Sequence, residues 1–197
     1  MKFIPQTAAA LLLASFSLTA SAQKIKLQSG DPAPLKNEKK INVEFTYDHL
    51  SVGKFDNEED YIKKKTEEYN KKESGKGDEW AKAWVRDRET RYAPKFDSLF
   101  SDNSDMKAGA FKDAKYTLIF HTTFVEPGFN VGVMRKNAYI DAEVTIVESA
   151  NRNNVIAKIS IDNAPGRMFG GFDFDTGDRI AEAYAVSGKK LARFIAK

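Results

Sequence analysis

The chain has 197 residues, with 31 basic and 28 acidic side chains and no cysteine. So small a charge excess gives no overall electrostatic case for a nucleic-acid or anionic-membrane partner. The missing cysteines exclude disulfides, thiolate catalysis, thiolate metal sites and the lipidated cysteine of a bacterial lipoprotein.

Residues 1–22 carry the pattern of an export signal. Lys2 supplies the basic n-region, Ala8 to Ala20 the apolar h-region, and Ala20-Ser21-Ala22 a small-residue cleavage site before Gln23. The apolar run is interrupted by serine and threonine and is shorter than the roughly 20 residues of a membrane span. Cleavage after Ala22 leaves 30 basic against 28 acidic side chains, a net charge of +2. The expected product is a periplasmic or secreted bacterial protein without a lipid anchor. Nothing after residue 22 approaches a transmembrane run, so direct membrane insertion is not expected and membrane association would run through a partner.

Residues 23–40, with Gly30, Pro32 and Pro34 and no sustained period, read as a flexible leader. Residues 41–48 then alternate: Ile41, Val43, Phe45 and Tyr47 against Asn42, Glu44, Thr46 and Asp48, the pattern of a strand with one buried face. From Asn57 to about Ser104 the period becomes helical. Glu58, Glu59 and Asp60 favour a helix start, and Gly75-Lys76-Gly77 breaks the run. Asp78 is the expected cap of a second helix whose apolar stripe begins at Trp80, Trp84 and Val85. Pro94 forces a kink before Phe96, Leu99 and Phe100 continue the stripe. Between residues 57 and 91 ten acidic and ten basic side chains intermix, which describes a solvated helical surface and argues against a nucleic-acid site.

Three strands follow. Tyr116, Leu118, Phe120 and Phe124 are expected on one face of the first, with Thr117, Ile119, His121 and Thr123 on the other, and Pro127-Gly128 closes it. Ala138, Ile140, Ala142, Val144 and Ile146 form the core face of the second. A turn at 151–154 leads to the third, with Val155, Ala157, Ile159 and Ile161 inward. A glycine- and aromatic-rich loop precedes a last helix capped by Asp175 or Thr176. That helix carries an apolar stripe, Ile180, Tyr184, Leu191 and Ile195, beside a small-residue stripe, Ala181, Ala185, Gly188 and Ala192. The expected fold class is α+β: one domain over 41–197, a two-layer α/β sandwich with helices on one face of a mainly antiparallel four-stranded sheet.

Three groups of residues carry functional expectations. Met168, Phe169, Phe172 and Phe174, aromatic or soft apolar side chains among glycines, suit a partner-docking loop. The stripe Ala181, Ala185, Gly188 and Ala192 permits a close helix approach, within the chain or to a second copy. The polar sheet face brings His121, Asp141 and Glu143 as possible acid, base or ligand groups. No catalytic residue is assigned, and no cofactor is expected. Only His49 and His121 are available as histidine ligands, without a metal-binding signature. Asp173, Asp175 and Asp178 fail a calcium-loop register, because the sixth and twelfth positions hold Asp178 and Tyr184 instead of glycine and glutamate. No nucleophile elbow, phosphate loop or dinucleotide fingerprint occurs.

The run YTLIFHTTFVEPGFNVGVMRKNAYIDAEVTIVESANRNNVIAKISIDNAPG, followed by RIAEAYAVSGKKLARFIAK, resembles bacterial envelope proteins grouped as domain of unknown function 4410. The shared parts are a strand ending at Pro127-Gly128, two strands joined by a short polar turn at 151–154, and an amphipathic helix from about Thr176. The resemblance covers roughly residues 110 to 197. It implies an exported α/β domain and no established activity. The sequence therefore points to a non-enzymatic periplasmic or secreted binding or assembly module with an envelope protein partner or self-association. The alternative is a metal- or acid/base-dependent hydrolase on the polar sheet face.

Overall fold

A computed structural model describes residues 23–166 and 174–196. The expected signal at 1–22 and the loop residues Met168, Phe169 and Phe172 lie outside the described residues. The strands in chain order are β1 (Lys24–Gly30), β2 (Lys40–Thr46), β3 (Ser51–Val52), β4 (Lys107–Gly109), β5 (Tyr116–Glu126), β6 (Phe129–Asn130), β7 (Arg135–Lys136), β8 (Ala138–Glu148) and β9 (Asn151–Gly166). The helices are α1 (Glu58–Asn70), α2 (Lys76–Asp87), α3 (Ala93–Ser101) and α4 (Thr176–Ile195).

The fold is α+β, but the sheet is mixed and seven-stranded, in the order β1-β9-β8-β5-β2-β4, with β3 pairing β5 beyond the end of β2. The expected four-stranded, mainly antiparallel sheet is corrected on both counts. β1, β9, β8 and β5 pair antiparallel to one another in that order, whereas β2 is parallel to both β5 and β4 and β3 is parallel to β5. The helical segment between residues 58 and 101 is the cause. It is a crossover that returns the chain to the end of the sheet where β2 began, and only a long crossover permits a parallel neighbour.

Residues 23–40 are not a flexible leader. Lys24 to Gly30 pair antiparallel with β9, and a short 3-10 turn at Ala33–Asn37 buries Leu35 completely. β1 is an edge strand whose residues are nearly all exposed: its short alternation, Ile25 and Leu27 between polar residues, puts Ile25 against the core and leaves Leu27 44% exposed. Its lysines suit an edge that must not recruit another strand.

The core lies between the sheet and the layer of α3 and α4. Phe45, Phe96, Phe120 and Tyr184 pack as one aromatic cluster, with Phe96 and Phe120 centroids 5.0 Å apart, and Tyr92 stacks on Tyr184 at 4.9 Å. The Tyr184 hydroxyl finds its buried partner in Thr122 Oγ1 at 2.6 Å. Thr122 thus occupies a core position that apolarity alone would not assign.

Asn57 caps α1, its Oδ1 accepting from the Asp60 amide at 2.9 Å. α2 starts earlier than expected. Gly75, at φ +82, is its cap, and Asp78 sits in the first turn and accepts from Asn70 Nδ2. Trp84 is buried, while Val85, one helical step away, is 48% exposed and off the stripe. The kink expected at Pro94 is a π-helical turn over Arg88–Tyr92. Pro94 cannot donate a helical hydrogen bond, and the Ala93 amide reaches back five residues to the Arg88 carbonyl.

Two β-bulges change faces. At Thr123 the β5–β8 register slips, so Phe124 stands opposite Asp141 on the outer face and Val125 takes the inward place opposite Ile140. Phe124, expected inward, packs against Tyr139 instead, with ring centroids 5.4 Å apart and the planes tilted by 33°. A second slip around Asp162 and Asn163 on β9 restores inward positions at Ala164 and Gly166. The turn before β9 falls at Ser149–Ala150, since Glu148 already pairs with Asn151, and Val155 is 43% exposed.

Candidate docking surface

One end of the sheet carries a feature absent from the expected strand list. Between β5 and β8 the chain forms the β6–β7 hairpin, with Phe129 opposite Lys136 and Asn130 opposite Arg135. The connection is Val131-Gly132-Val133-Met134, closed by the Val131 amide donating to the Met134 carbonyl at 3.0 Å. Turns of this kind ordinarily use Asn, Asp, Gly or Pro, which place polar groups in water. Here Val131, Val133 and Met134 are 61%, 93% and 62% exposed, and Phe129 behind them is 41% exposed.

The base of this hairpin is built firmly. Gly128 sits at φ +60, where an added Cβ would lie 2.4 Å from the Lys136 carbonyl oxygen, so only glycine brings the two strands this close. The buried carboxylate of Glu126 accepts from the Gly128 amide at 3.0 Å and pairs with Lys136 Nζ at 2.5 Å. Arg179, in the first turns of α4 and only 2% exposed, completes the base. Its Nε donates to the Pro127 carbonyl at 3.1 Å, and Nη2 donates to the Gly128 carbonyl at 3.3 Å and to Thr176 Oγ1 at 2.9 Å. Nη1 donates to the Phe174 carbonyl at 3.1 Å. A buried guanidinium is held by planar, charge-assisted bonds to fixed oxygens.

Arg179 therefore joins the hairpin to the exit of the aromatic loop. Phe174, the one residue of the expected docking loop within the described residues, is 62% exposed on that exit. At the root of α4, Asp175 caps the helix by accepting from the Asp178 amide at 3.0 Å. Arg91 of the π turn donates to Asp175 at 2.6 Å and to Asp178 at 3.2 Å, and pairs with the buried Asp87 at 3.2 Å. Burial raises the Asp87 carboxyl above its ordinary range, and its neighbouring carboxylates act in the same direction; burial of Asp175 is outweighed by its hydrogen bonds and Arg91, which hold it low. The exposed apolar residues thus rise from a rigid, salt-bridged platform.

The other expected sites are placed as follows. Ala181, Ala185, Gly188 and Ala192 are all buried, and an added Cβ at Gly188 would lie 2.4 Å from the Phe96 carbonyl oxygen. The stripe is the contact between α4 and the rest of this chain. A helix-to-helix surface for a second copy, the alternative expectation, would need these residues exposed.

On the outer sheet face His121 stands directly opposite Glu143, and His121 Nδ1 lies 2.9 Å from Thr46 Oγ1. Asp141 is displaced by the bulge to face Phe124, and its Oδ1 accepts from the Asn163 amide at 2.7 Å. Burial raises the Asp141 carboxyl above its ordinary value, with the Asn163 amide opposing. The groove of about 440 Å³ on this face is lined by Gln28, Glu143, Thr145, Lys158 and Ser160, and not by His121 or Asp141. The three residues do not share one concavity. Among the described residues no group of three or more histidine or acidic side chains is arranged to hold a metal ion.

A larger cleft, about 670 Å³, lies between the end of β2 and the start of α1, lined by Tyr47, Asp48, His49, Glu58, Glu59 and Arg88. Its strongest groups serve each other. Arg88 pairs with Glu58 and lies 4.0 Å over the Tyr47 ring, and Glu58 also accepts from Trp84 Nε1 at 2.5 Å. Burial pushes the Tyr47 hydroxyl up to about 12. Among the described residues no helix is long and apolar enough to cross a membrane.

No family model matches the sequence, and no curated protein matches it. Among solved structures, the chain is similar to the PelC dodecamer from Paraburkholderia phytofirmans at 9% identity and a TM-score of 0.39, over 85% of this chain and 97% of that one. A point variant of that protein aligns with a TM-score of 0.40 at 10% identity, over 85% and 98% of the two chains. A protein of Xanthomonas campestris described under the family model DUF330 aligns with a TM-score of 0.38 at 12% identity, over 82% of this chain and 86% of that one.

Proposed function

We propose that this protein is an exported, non-enzymatic binding module that docks onto a component of the bacterial envelope through the β6–β7 hairpin and the neighbouring exit of the aromatic loop. The observation that carries the reading is the aliphatic turn at 131–134, held out on a rigid base. Contiguous apolar side chains in water mark a contact surface, because exposing them is costly unless something covers them. Export is supported by the signal-like pattern of residues 1–22. The division of labour follows from the construction. Glu126, Lys136 and Arg179 fix the hairpin's base, while Val131, Val133 and Met134 are left for contact.

The test compares the full chain with a Val133→Asp, Met134→Asp variant for co-sedimentation with washed bacterial envelope fragments. Both substituted residues are exposed, so the melting temperature should be unchanged. Binding weakened by at least tenfold is expected, since two apolar side chains of this size contribute more than that on burial. Equal sedimentation of both proteins would overturn the reading.

A further inference from the structure

We infer that Gln23 is a modification site: once cleavage after Ala22 frees its α-amine, that amine closes on the residue's own carboxamide, and the resulting pyroglutamyl ring stays docked against the end of α4. The inference rests on the export reading above, which sets the cleavage point. It is independent of what the β6–β7 hairpin binds.

One residue carries the chemistry. The neutral α-nitrogen attacks the side-chain carbonyl carbon Cδ, an N–Cδ bond forms and the Cδ–Nε2 bond breaks. Nε2 leaves as ammonia with the proton that the α-nitrogen gives up, so no oxidant, reductant or second molecule is consumed. The ring has five members, and amine and carbonyl meet at the high effective concentration of an intramolecular reaction.

Position is the first structural argument. Gln23 directly precedes β1, and Lys24 already pairs with Asp162, so the new terminus is fixed to the sheet. Side chains alternate along a strand. Gln23 therefore shares the inward face of Ile25, which packs against the core, while Lys24 and Asp162 lie on the outer face. A pocket of about 270 Å³ receives it, lined by Gln23, Ile25, Lys190, Arg193 and Phe194. The carboxamide is poorly served there: Nε2 and Oε1 are both buried, and neither has a hydrogen-bond partner among the described residues. Loss of ammonia removes one of these two orphaned groups, whose burial is otherwise costly.

Charge is the second argument. Lys190 and Arg193 stand exposed at the pocket rim, Arg193 Nε donating to the neutral Asn103 side chain, and no carboxylate lines the pocket. An α-ammonium released here would add a third cation beside the apolar wall of Ile25 and Phe194. The lactam is neutral and compact, and removes that charge.

The test uses the full chain, residues 1–22 included, produced in a bacterium that exports it. Intact mass and sequencing of the N-terminal peptide should give residues 23–197 lighter by one ammonia, with the terminus blocked to Edman degradation. Gln23→Asn, whose closure would need a four-membered ring, should carry a free amine at position 23. Pyroglutamyl aminopeptidase should release the ring from folded wild type about tenfold more slowly than from a synthetic peptide of residues 23–30 with the same lactam, because the ring must first leave its pocket.

A free amine and an intact carboxamide at Gln23 would overturn the inference and leave export standing. A terminus at another residue, or an uncleaved chain, would overturn the cleavage point and the inference with it. Release from the folded protein as fast as from the peptide would overturn the docked site.

Discussion

Arg179 Nε donates to the Pro127 carbonyl across 3.1 Å, linking the first turns of the last helix to the base of a hairpin 52 residues earlier. The same guanidinium bonds the Gly128 and Phe174 carbonyls, so one buried side chain sets the spacing between hairpin and loop exit. Arg179→Met keeps most of the stem but leaves these carbonyls without their donor. Buried acceptors stripped of a partner cost about 1–3 kcal/mol each, less where water can enter. The variant should lose about 2–4 kcal/mol in urea unfolding. Amide exchange should rise first across residues 129–136, and exchange in α3 should change little below the unfolding transition. Arg179→Lys should recover only part of the loss, because one ammonium cannot reach acceptors on opposite sides of a planar fork.

Gly188 concerns the close approach of α4 to α3. Alanine is worth about 1 kcal/mol over glycine in an open helix, so local propensity favours Gly188→Ala. The new methyl group would lie 2.4 Å from the Phe96 carbonyl oxygen and close to the Phe100 amide, both backbone atoms that cannot rotate away. The two helices must separate, loosening Phe96 and Phe100, both fully buried. Net destabilisation of about 1–3 kcal/mol is expected, read as a lower urea midpoint at unchanged slope. A midpoint equal to or above wild type would show that this contact gives way easily.

Where one face of an element is fully buried, the sequence pattern was sufficient. Ala138, Ile140, Ala142, Val144 and Ile146 of β8 are inward, and Ile180, Tyr184, Leu191 and Ile195 of α4 are buried, because continuous burial imposes periods of two and 3.6. β1 is hard to read for the opposite reason: an edge strand that buries little needs few apolar residues, so Ile25 and Leu27 are its only two before Gln28, Ser29 and Gly30 end the alternation. Phe124 was misplaced because the bulge at Thr123 inverts the phase, and the adjacent pair Phe124-Val125 fits either register. The hairpin was missed although Pro127, Gly128 and Gly132 signalled turns, since a reading that looks for polar turns passes over Val131, Val133 and Met134. Arg179 gave no signal at all. An arginine near a helix start is ordinarily a surface residue, and only the chain's return to Pro127 and Phe174 buries it.

Glu58 joins the helical hairpin to its surroundings. Its carboxylate accepts from Trp84 Nε1 at 2.5 Å and pairs with Arg88, which itself stacks on Tyr47. Glu58→Ala leaves an indole N–H and a part-buried guanidinium without their acceptor. A loss of about 1–3 kcal/mol is expected. The chain has two tryptophans, Trp80 and Trp84, with ring centroids 5.6 Å apart on α2, so intrinsic fluorescence reports this site directly. Emission should shift to the red in the folded variant as water reaches Trp84. Glu58→Gln, which retains an acceptor oxygen, should shift it less.

Asp97 on α3 has a buried Oδ1 that accepts no hydrogen bond among the described residues, and burial pushes its carboxyl up to about 6. The folded protein therefore binds this proton more tightly than the unfolded chain, whose carboxyl titrates near 3.8. The ionised group opposes folding fully above the folded value. The penalty fades as the pH falls through 6, and is absent below the unfolded value. Asp97→Asn removes the charge at nearly constant volume. It should stabilise the protein at pH 8, by about 1 kcal/mol after allowing for solvent screening at a part-exposed group. The gain should shrink steadily between pH 6 and pH 4 in urea unfolding. A gain that stays constant across that range would mean that packing, and not ionisation, is responsible, and a loss at pH 8 would mean that the carboxylate has a stabilising partner when folded.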